Sequence, residues 1–304
     1  MTSALRIGID LGGTKIAGYA LSDAGETLAV RRRPTPRFDY QGTIAAIGAV
    51  VSDLETELES VGTVGIGMPG SLSPRTGLAR NGNSTWLNGR AFKRDVEAIL
   101  GREVKVANDA NCFALSEAVD GAGKGYACVF GVILGTGCGA GIVIDGHIHD
   151  GRHGVGGEWG HIPLPWPQPD EYPGPECWCG RRGCMETWIS GPALAADHER
   201  RTGQTLDARQ ISERAGHGDA GAKETMDRYV DRLARGLAAV GDVLDPDIVV
   251  LGGGVSEIPD LYAPAAARVG QYLFSDYCDL PIVAAHYGPD SGGRGAAKLW
   301  TMQG

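Results

Sequence analysis

No stretch of the 304-residue chain stays apolar for anything near the ~20 residues that a membrane-spanning helix needs. Met1-Thr2-Ser3-Ala4 leads straight into a strand-like segment, without the basic start, apolar centre and small-residue cleavage site of a secretory leader. These absences read as a cytoplasmic protein with no membrane association. A basic surplus is missing too: 28 Lys and Arg stand against 37 Asp and Glu, a net charge of −9, which disfavours a nucleic-acid partner. Small anions remain possible ligands, because backbone N–H groups bind them on acidic proteins. The seven cysteines, in a reducing compartment, are not expected to form a disulfide framework. The P-loop is absent as well, since Gly13 leads into Thr14-Lys15 and not into the Lys-Ser/Thr pair that the pattern requires.

What the chain has in excess is glycine, 48 residues, about twice the usual share and spread over several turns rather than in a repeat. The length suits two domains. Strand-like segments at 5–11, 15–21, 63–70 (ending in a turn), 104–109, 127–134 and 248–254 alternate with helical patterns. Ile44, Ile47, Val51, Leu54 and Leu58 keep helical spacing behind a possible Asp39 cap. Met226, Tyr229, Leu233, Val240 and Leu244 do the same ahead of Asp245-Pro246. Such alternation predicts an α/β protein. IGIDLGGTKIAGYAL (7–21) and FGVILGTGCGAGIVI (130–144) match in glycine placement, each reading as strand, glycine turn, strand. Shared composition explains the echo, or two related domains do. Gly65, Gly67 and Gly70, and likewise Gly135, Gly137 and Ala140, imitate a dinucleotide-binding fingerprint. Neither leads into a helical pattern, so the phosphate-on-helix geometry of that fingerprint is not expected.

The chemistry-bearing residues fall in three groups. In Asp10-Leu11-Gly12-Gly13-Thr14-Lys15, turn glycines leave N–H groups for phosphate oxygens, Thr14 and Lys15 add a hydroxyl and a cation, and Asp10 would hold Mg²⁺. A plain hairpin with a salt-bridged Asp and Lys fits the same residues. Gly135-Thr136-Gly137 and Gly252-Gly253-Gly254, each following a strand, favour the phosphate reading. In the second group, His161, Cys177, Cys179 and Cys184 bracket a proline-rich loop and can close a tetrahedral, structural Zn²⁺ site, with free thiols as the alternative. The third is Asp109 in KVANDANCFALSE. It stands at the start of a helix with Ala110, Phe113, Ala114 and Ala118 on one face, where a cap is sufficient explanation.

IGIDLGGTK, VGIGMPG, NDANCFALSE, LGTGCGAG, GEWGH, CWCGRRGCME and VVLGGG, in this order, resemble the ROK family of bacterial sugar kinases from residue 5 to the GGRGAAKLW tail. The resemblance implies an actin-like, ribonuclease-H-like two-domain α/β fold with an interdomain cleft for ATP and sugar. It implies a small domain over 1–118 joined by a C-terminal helix at 291–304, and a large domain with the zinc loop over 119–290. Asp109 becomes the catalytic base, and Asn83, Asn108, Glu158, His161 and Glu186 become sugar ligands. The glycine turns become the ATP site, with Mg²⁺ and a structural Zn²⁺. A homodimer is implied. NSTWLNG and GEWGHIPLPW look most like the fructokinase branch, so fructose, and also mannose, is the expected substrate. Glucose, N-acetylglucosamine and N-acetylmannosamine are the alternatives within the family. A non-catalytic sugar sensor is the alternative of another class. The family's repressors carry a helix-turn-helix before the first hairpin, and the four residues preceding Leu5 leave no room for one.

Overall fold

The computed structural model describes residues 5–300. From the N-terminus run β1 (Arg6–Leu11), β2 (Lys15–Leu21) and β3 (Thr27–Pro34), then α1 (Tyr40–Leu58), β4 (Thr63–Met68), β5 (Ser71–Leu72) and β6 (Ala79–Arg80). These are followed by α2 (Phe92–Leu100), β7 (Val104–Asn108) and α3 (Asp109–Asp120). Next come β8 (Cys128–Leu134), β9 (Cys138–Ile144) and β10 (His147–Ile148). Helices α4 (Glu186–Ile189), α5 (Gly191–Thr202), α6 (Ala208–Gly216) and α7 (Ala220–Leu244) precede β11 (Ile248–Gly252). The chain continues with α8 (Tyr262–Val269), β12 (Ile282–Ala284) and α9 (Ser291–Lys298).

The two larger sheets share one plan. The first has the order β3-β2-β1-β4-β7 and the second β10-β9-β8-β11-β12. In the first, β2 runs antiparallel to β1, while β4 and β7 run parallel to it. In the second, β11 is parallel to both β8 and β12. The echo between 7–21 and 130–144 therefore coincides with equivalent strands, β1-β2 and β8-β9, of two sheets of like order.

The chain divides into two compact units. Among the described residues the first holds 5–125, 141–156 and 289–300, and the second 126–140 and 157–288. Residues 141–156 thus pack with the first unit, although the sequence reading assigned them to a domain running from 119 to 290. The first unit's core is Ile7, Ile9, Leu11, Ile47, Val50, Leu54, Val64 and Ile66, contributed by the alternating faces of β1 and β4 and the apolar stripe of α1. Asp39 caps α1, its carboxylate accepting from the Gly42 N–H at 2.9 Å. Helix α9 lies directly on this sheet. A Cβ at Gly65 would overlap the Ala296 carbonyl, so the first glycine of the false fingerprint is a packing requirement. The C-terminal helix expected over 291–304 ends at Lys298, and residues 301–304 lie outside the described residues. Among the described residues no helix is long and apolar enough to cross a membrane.

Candidate active site and metal centre

In the first unit the candidate groups gather at one end of the parallel strands, where ligands of α/β sheets bind. Asp10 on β1 pairs with Gly67 on β4, and Gly67 pairs with Ala107 on β7. Two strand spacings put the backbones of Asp10 and Ala107 about 10 Å apart. The hairpin turn after Asp10 is held by Gly12 N–H to Lys15 O at 2.9 Å, by Thr35 N–H to Thr14 O at 3.0 Å and by the Thr35 hydroxyl to Gly12 O at 2.7 Å. Thr14 and Lys15 are exposed at its tip. Asp10 is pushed up to about 6 by burial, which Lys15 only partly offsets. The buried Ser84 sits beside the turn, its Oγ 3.7 Å from where a Gly13 Cβ would be, and its neighbour Asn83 is exposed.

The helix cap belongs to Asn108 rather than to Asp109. Asn108 ends β7 with the extended backbone that a cap requires (φ −64°, ψ 147°), and its Oδ1 accepts from Ala110 N–H at 2.9 Å and Asn111 N–H at 3.3 Å. Its Nδ2 donates to Gly70 O at 3.0 Å, so much of the amide's capacity serves the fold. Asp109 is the first residue of α3, with Oδ1 accepting from its neighbour's N–H at 2.8 Å. There the helix dipole favours its charged form. One turn on, the buried Cys112 thiol is raised well above its ordinary value by burial and then by the carboxylates of Asp109, Asp10 and Asp150. Asp150 was not marked in the sequence. Its Oδ1 accepts from Asn111 Nδ2 at 2.7 Å, and desolvation raises its carboxyl, with His149 opposing.

In the second unit the two remaining glycine runs adjoin. Gly252 pairs with Ile133, and Gly191 N–H reaches Gly135 O at 2.8 Å. A Cβ at Gly135 or at Gly254 would meet nothing within 4 Å, so the protein's own packing does not demand glycine there.

The metal-ligand candidates converge. His161, Cys177, Cys179 and Cys184 each place one ligand atom within 4.8 Å of all the others. Backbone pairing between 162–164 and 183–185 brings His161 to Cys184, through Leu164 N–H to Gly183 O and Met185 N–H to Ile162 O, both 2.9 Å. Cys177 and Cys179 come from the turn closed by Gly180 N–H to Cys177 O at 2.9 Å. Tetrahedral Zn²⁺ bonded to sulfur at about 2.3 Å and nitrogen at about 2.0 Å needs S···S near 3.8 Å and S···N near 3.5 Å. Cys179 Sγ to Cys184 Sγ is 3.6 Å and Cys177 Sγ to His161 Nδ1 is 3.6 Å, so the donor set fits zinc. Nδ1 faces the thiols, which turns Nε2 away from them. Among the described cysteines all seven are free of disulfides.

Of the expected sugar ligands in this unit, Glu158 and His161 flank the buried Trp159, and Glu186 opens α4 two residues after Cys184. Both Glu186 oxygens are engaged: Oε2 accepts from Cys138 N–H at 2.9 Å and Oε1 from Trp178 Nε1–H at 2.7 Å. The sequence also left unmarked what packs the proline-rich loop. Arg232 and Arg235 of α7 grip Glu171, and Arg235 Nη1 donates to the Pro165 and Trp166 carbonyls at 3.1 and 2.9 Å. The only sequence signal was two arginines on the apolar side of a helix.

The sequence profile of the ROK family matches residues 6–303. The chain belongs to the ROK family. This ROK chain is 39% identical over 296 residues to the N-acetyl-D-glucosamine kinase of Photobacterium profundum, covering 96% of this chain and 98% of that one. Its fold superposes on the ROK hexokinase of Thermus thermophilus with a TM-score of 0.86 at 32% identity, covering 99% and 100% of the two chains. On the ROK family glucokinase of Streptomyces griseus, solved with glucose and AMPPNP, the TM-score is 0.80 at 32% identity, covering 97% and 99%. The fold class is therefore the actin-like, ribonuclease-H-like α/β fold of ROK sugar kinases. The expected fructokinase branch finds no support in these relatives, since the N-acetyl-D-glucosamine kinase name recurs at 36% identity in Haemophilus influenzae.

Proposed function

We propose that the chain is an ATP-dependent sugar kinase whose hexose is N-acetyl-D-glucosamine. The observation that carries this reading is the 39% identity to a kinase of that name along 96% of the chain, joined to an aspartate that opens the helix directly after a parallel strand. Asp109 accepts the proton of the attacking hydroxyl as that oxygen bonds to the γ-phosphorus and ADP leaves. The N-terminus of α3 favours the charged form of Asp109. Asn83, Asn108, Glu158, Glu186 and His161 through Nε2 hydrogen-bond the sugar, whose hydroxyls both donate and accept. The turns at Gly12, Gly13, Gly135, Thr136, Gly137, Gly252, Gly253 and Gly254 take the phosphates, with Thr14 and Lys15, through the N–H groups left over once Gly12 has bonded Lys15 O and Gly135 has bonded Gly137 O within their own turns. Asp10 would serve Mg²⁺, which supplies neutralisation of phosphate charge when bound. His161, Cys177, Cys179 and Cys184 would hold Zn²⁺, which supplies rigidity to the loop carrying Glu186.

The deciding experiment is ATP-dependent turnover on N-acetylglucosamine, N-acetylmannosamine, glucose, mannose and fructose. The largest kcat/KM is expected for N-acetylglucosamine. A preference for fructose would return the substrate to the branch suggested by NSTWLNG, and turnover on none would indicate a sugar sensor. Glucose is the second reading, favoured by the likeness to the glucose-bound glucokinase at 32% identity.

A further inference from the structure

Trp178 stands between two of the metal-site cysteines, Cys177 and Cys179, and touches two groups of different character. Its ring meets the His161 ring edge to face, with centroids 5.0 Å apart and planes at 85°. Its indole N–H donates to Glu186 Oε1 at 2.7 Å. The other Glu186 oxygen is fixed by Cys138 N–H at 2.9 Å, at the first residue of β9. The surroundings leave that carboxylate little freedom: a Cβ at Gly137 would stand 2.6 Å from Oε2. One end of Glu186 is therefore held by the rigid sheet and the other by the tip of the cysteine loop. The indole is 57% exposed, so packing does not account for a tryptophan at this place. Water would satisfy Glu186 as well as the indole does, but water would not fix the direction of its remaining lone pairs.

We propose that Trp178 is a positioning residue that transmits the order of the cysteine–histidine loop to Glu186, orienting the carboxylate for the sugar. The sugar half of this proposal rests on the reading of the chain as a hexose kinase. With the loop closed around its ion, the backbone at 177–179 is set and the indole N–H aims at Oε1. With the loop open, the ring leaves His161 and Oε1 loses its donor. The donor is a neutral N–H on an ionised acceptor, a bond of the stronger kind. Exposure weakens it, so its loss is expected to cost a few-fold in sugar affinity rather than hundreds.

The test uses the full chain with its metal. Trp178→Phe keeps a ring against His161 and deletes only the N–H. Calorimetric binding of N-acetylglucosamine without ATP should weaken about 3–10-fold, with KM for ATP unchanged and kcat at saturating sugar within about twofold. The same substitution in a Glu186→Gln background should add much less, because the charged acceptor is already gone. Elemental analysis should give the same zinc content for Trp178→Phe as for the wild type. Independently of any sugar, the indole N–H resonance absent from the Trp178→Phe spectrum should move on Glu186→Gln and on chelation. Unchanged sugar affinity in Trp178→Phe, an equal loss of ATP affinity, loss of zinc, or a resonance indifferent to chelation would each overturn the proposal. If the wild type binds none of the hexoses, the kinase reading falls by itself, and the resonance still decides whether the indole links the loop to Glu186.

Discussion

Deleting the Glu171 carboxylate should unsettle the second unit more than any other single change in its loops. The side chain is 6% exposed and faces Arg232 and Arg235, 2% and 1% exposed. Oε1 accepts from Arg232 Nε at 2.7 Å and Arg235 Nη2 at 2.9 Å, and Oε2 from Arg235 Nη1 at 2.8 Å and Gln168 N–H at 2.9 Å. In Glu171→Ala, Arg232 keeps Asp197 at 3.3 Å and Arg235 keeps Asp231 at 3.0 Å, two cations with one carboxylate fewer. Breaking a buried pair from one side costs about 3–5 kcal/mol. At roughly 2–4 °C per kcal/mol for a unit of this size, Tm should fall by about 6–20 °C. Calorimetry of the variant beside Glu171→Gln, which keeps an acceptor but no charge and should fall between, is the assay. A fall below about 2 °C would refute the reasoning, because Asp197 and Asp231 would then suffice. The pH dependence follows the same network. Burial pushes the Glu171 carboxyl up, but Arg235, Arg232 and the Gln168 N–H pull it down further, so that it ends below its ordinary value. Its contribution is complete above the unfolded value near about 4.3 and is lost as pH falls through the lower folded value. The Tm gap between wild type and Glu171→Gln should therefore close in strong acid.

Asp109→Ala should lower kcat by about 10²–10⁴-fold while the hexose still binds, and a near-normal kcat in a steady-state assay would remove it as the base. Asp10→Asn should abolish turnover yet stabilise the fold at pH 8 by about 1–3 kcal/mol, since a carboxyl at about 6 in the fold and about 3.9 unfolded loses stability as pH rises through 6. Denaturant midpoints at pH 8 and pH 5 check this, and a variant less stable than the wild type at pH 8 counts against it. Chelation, or Cys179→Ser, should lower Tm and weaken hexose affinity together, and elemental analysis finding no zinc in the purified protein would remove the metal site.

The long periodic elements were legible because burial on one face dictates their pattern. Helices α1 and α7 appear where Ile44–Leu58 and Met226–Leu244 put them, with Asp39 as cap and Asp245 in the left-handed conformation as terminator. Strand β3 was not legible. It is an edge strand whose Arg31 and Arg33 pair with Glu57 and Asp53 of α1, so no apolar alternation marks it. The cap at 108–109 was misplaced by one residue, because Asn and Asp cap equally well and only the backbone at the strand end chooses between them. The cysteine–histidine set was readable because ligand chemistry limits which residues can serve. Trp178 and Glu171 were not, since each matters through a partner distant in sequence or set at an angle no spacing records.

The order of residues alone determined the alternation of strands and helices, the paired glycine hairpins and the donor set His161, Cys177, Cys179 and Cys184. These depend on local periodicity, on backbone freedom at glycine and on ligand type, all of which act over a few residues. Tertiary structure decided that Asn108 rather than Asp109 caps the start of α3, that Gly65 makes way for α9, that 141–156 packs with the first unit, and that Arg232 and Arg235 anchor the proline-rich loop through Glu171. Each of those depends on desolvation and contact between segments far apart in the chain, which no local pattern encodes.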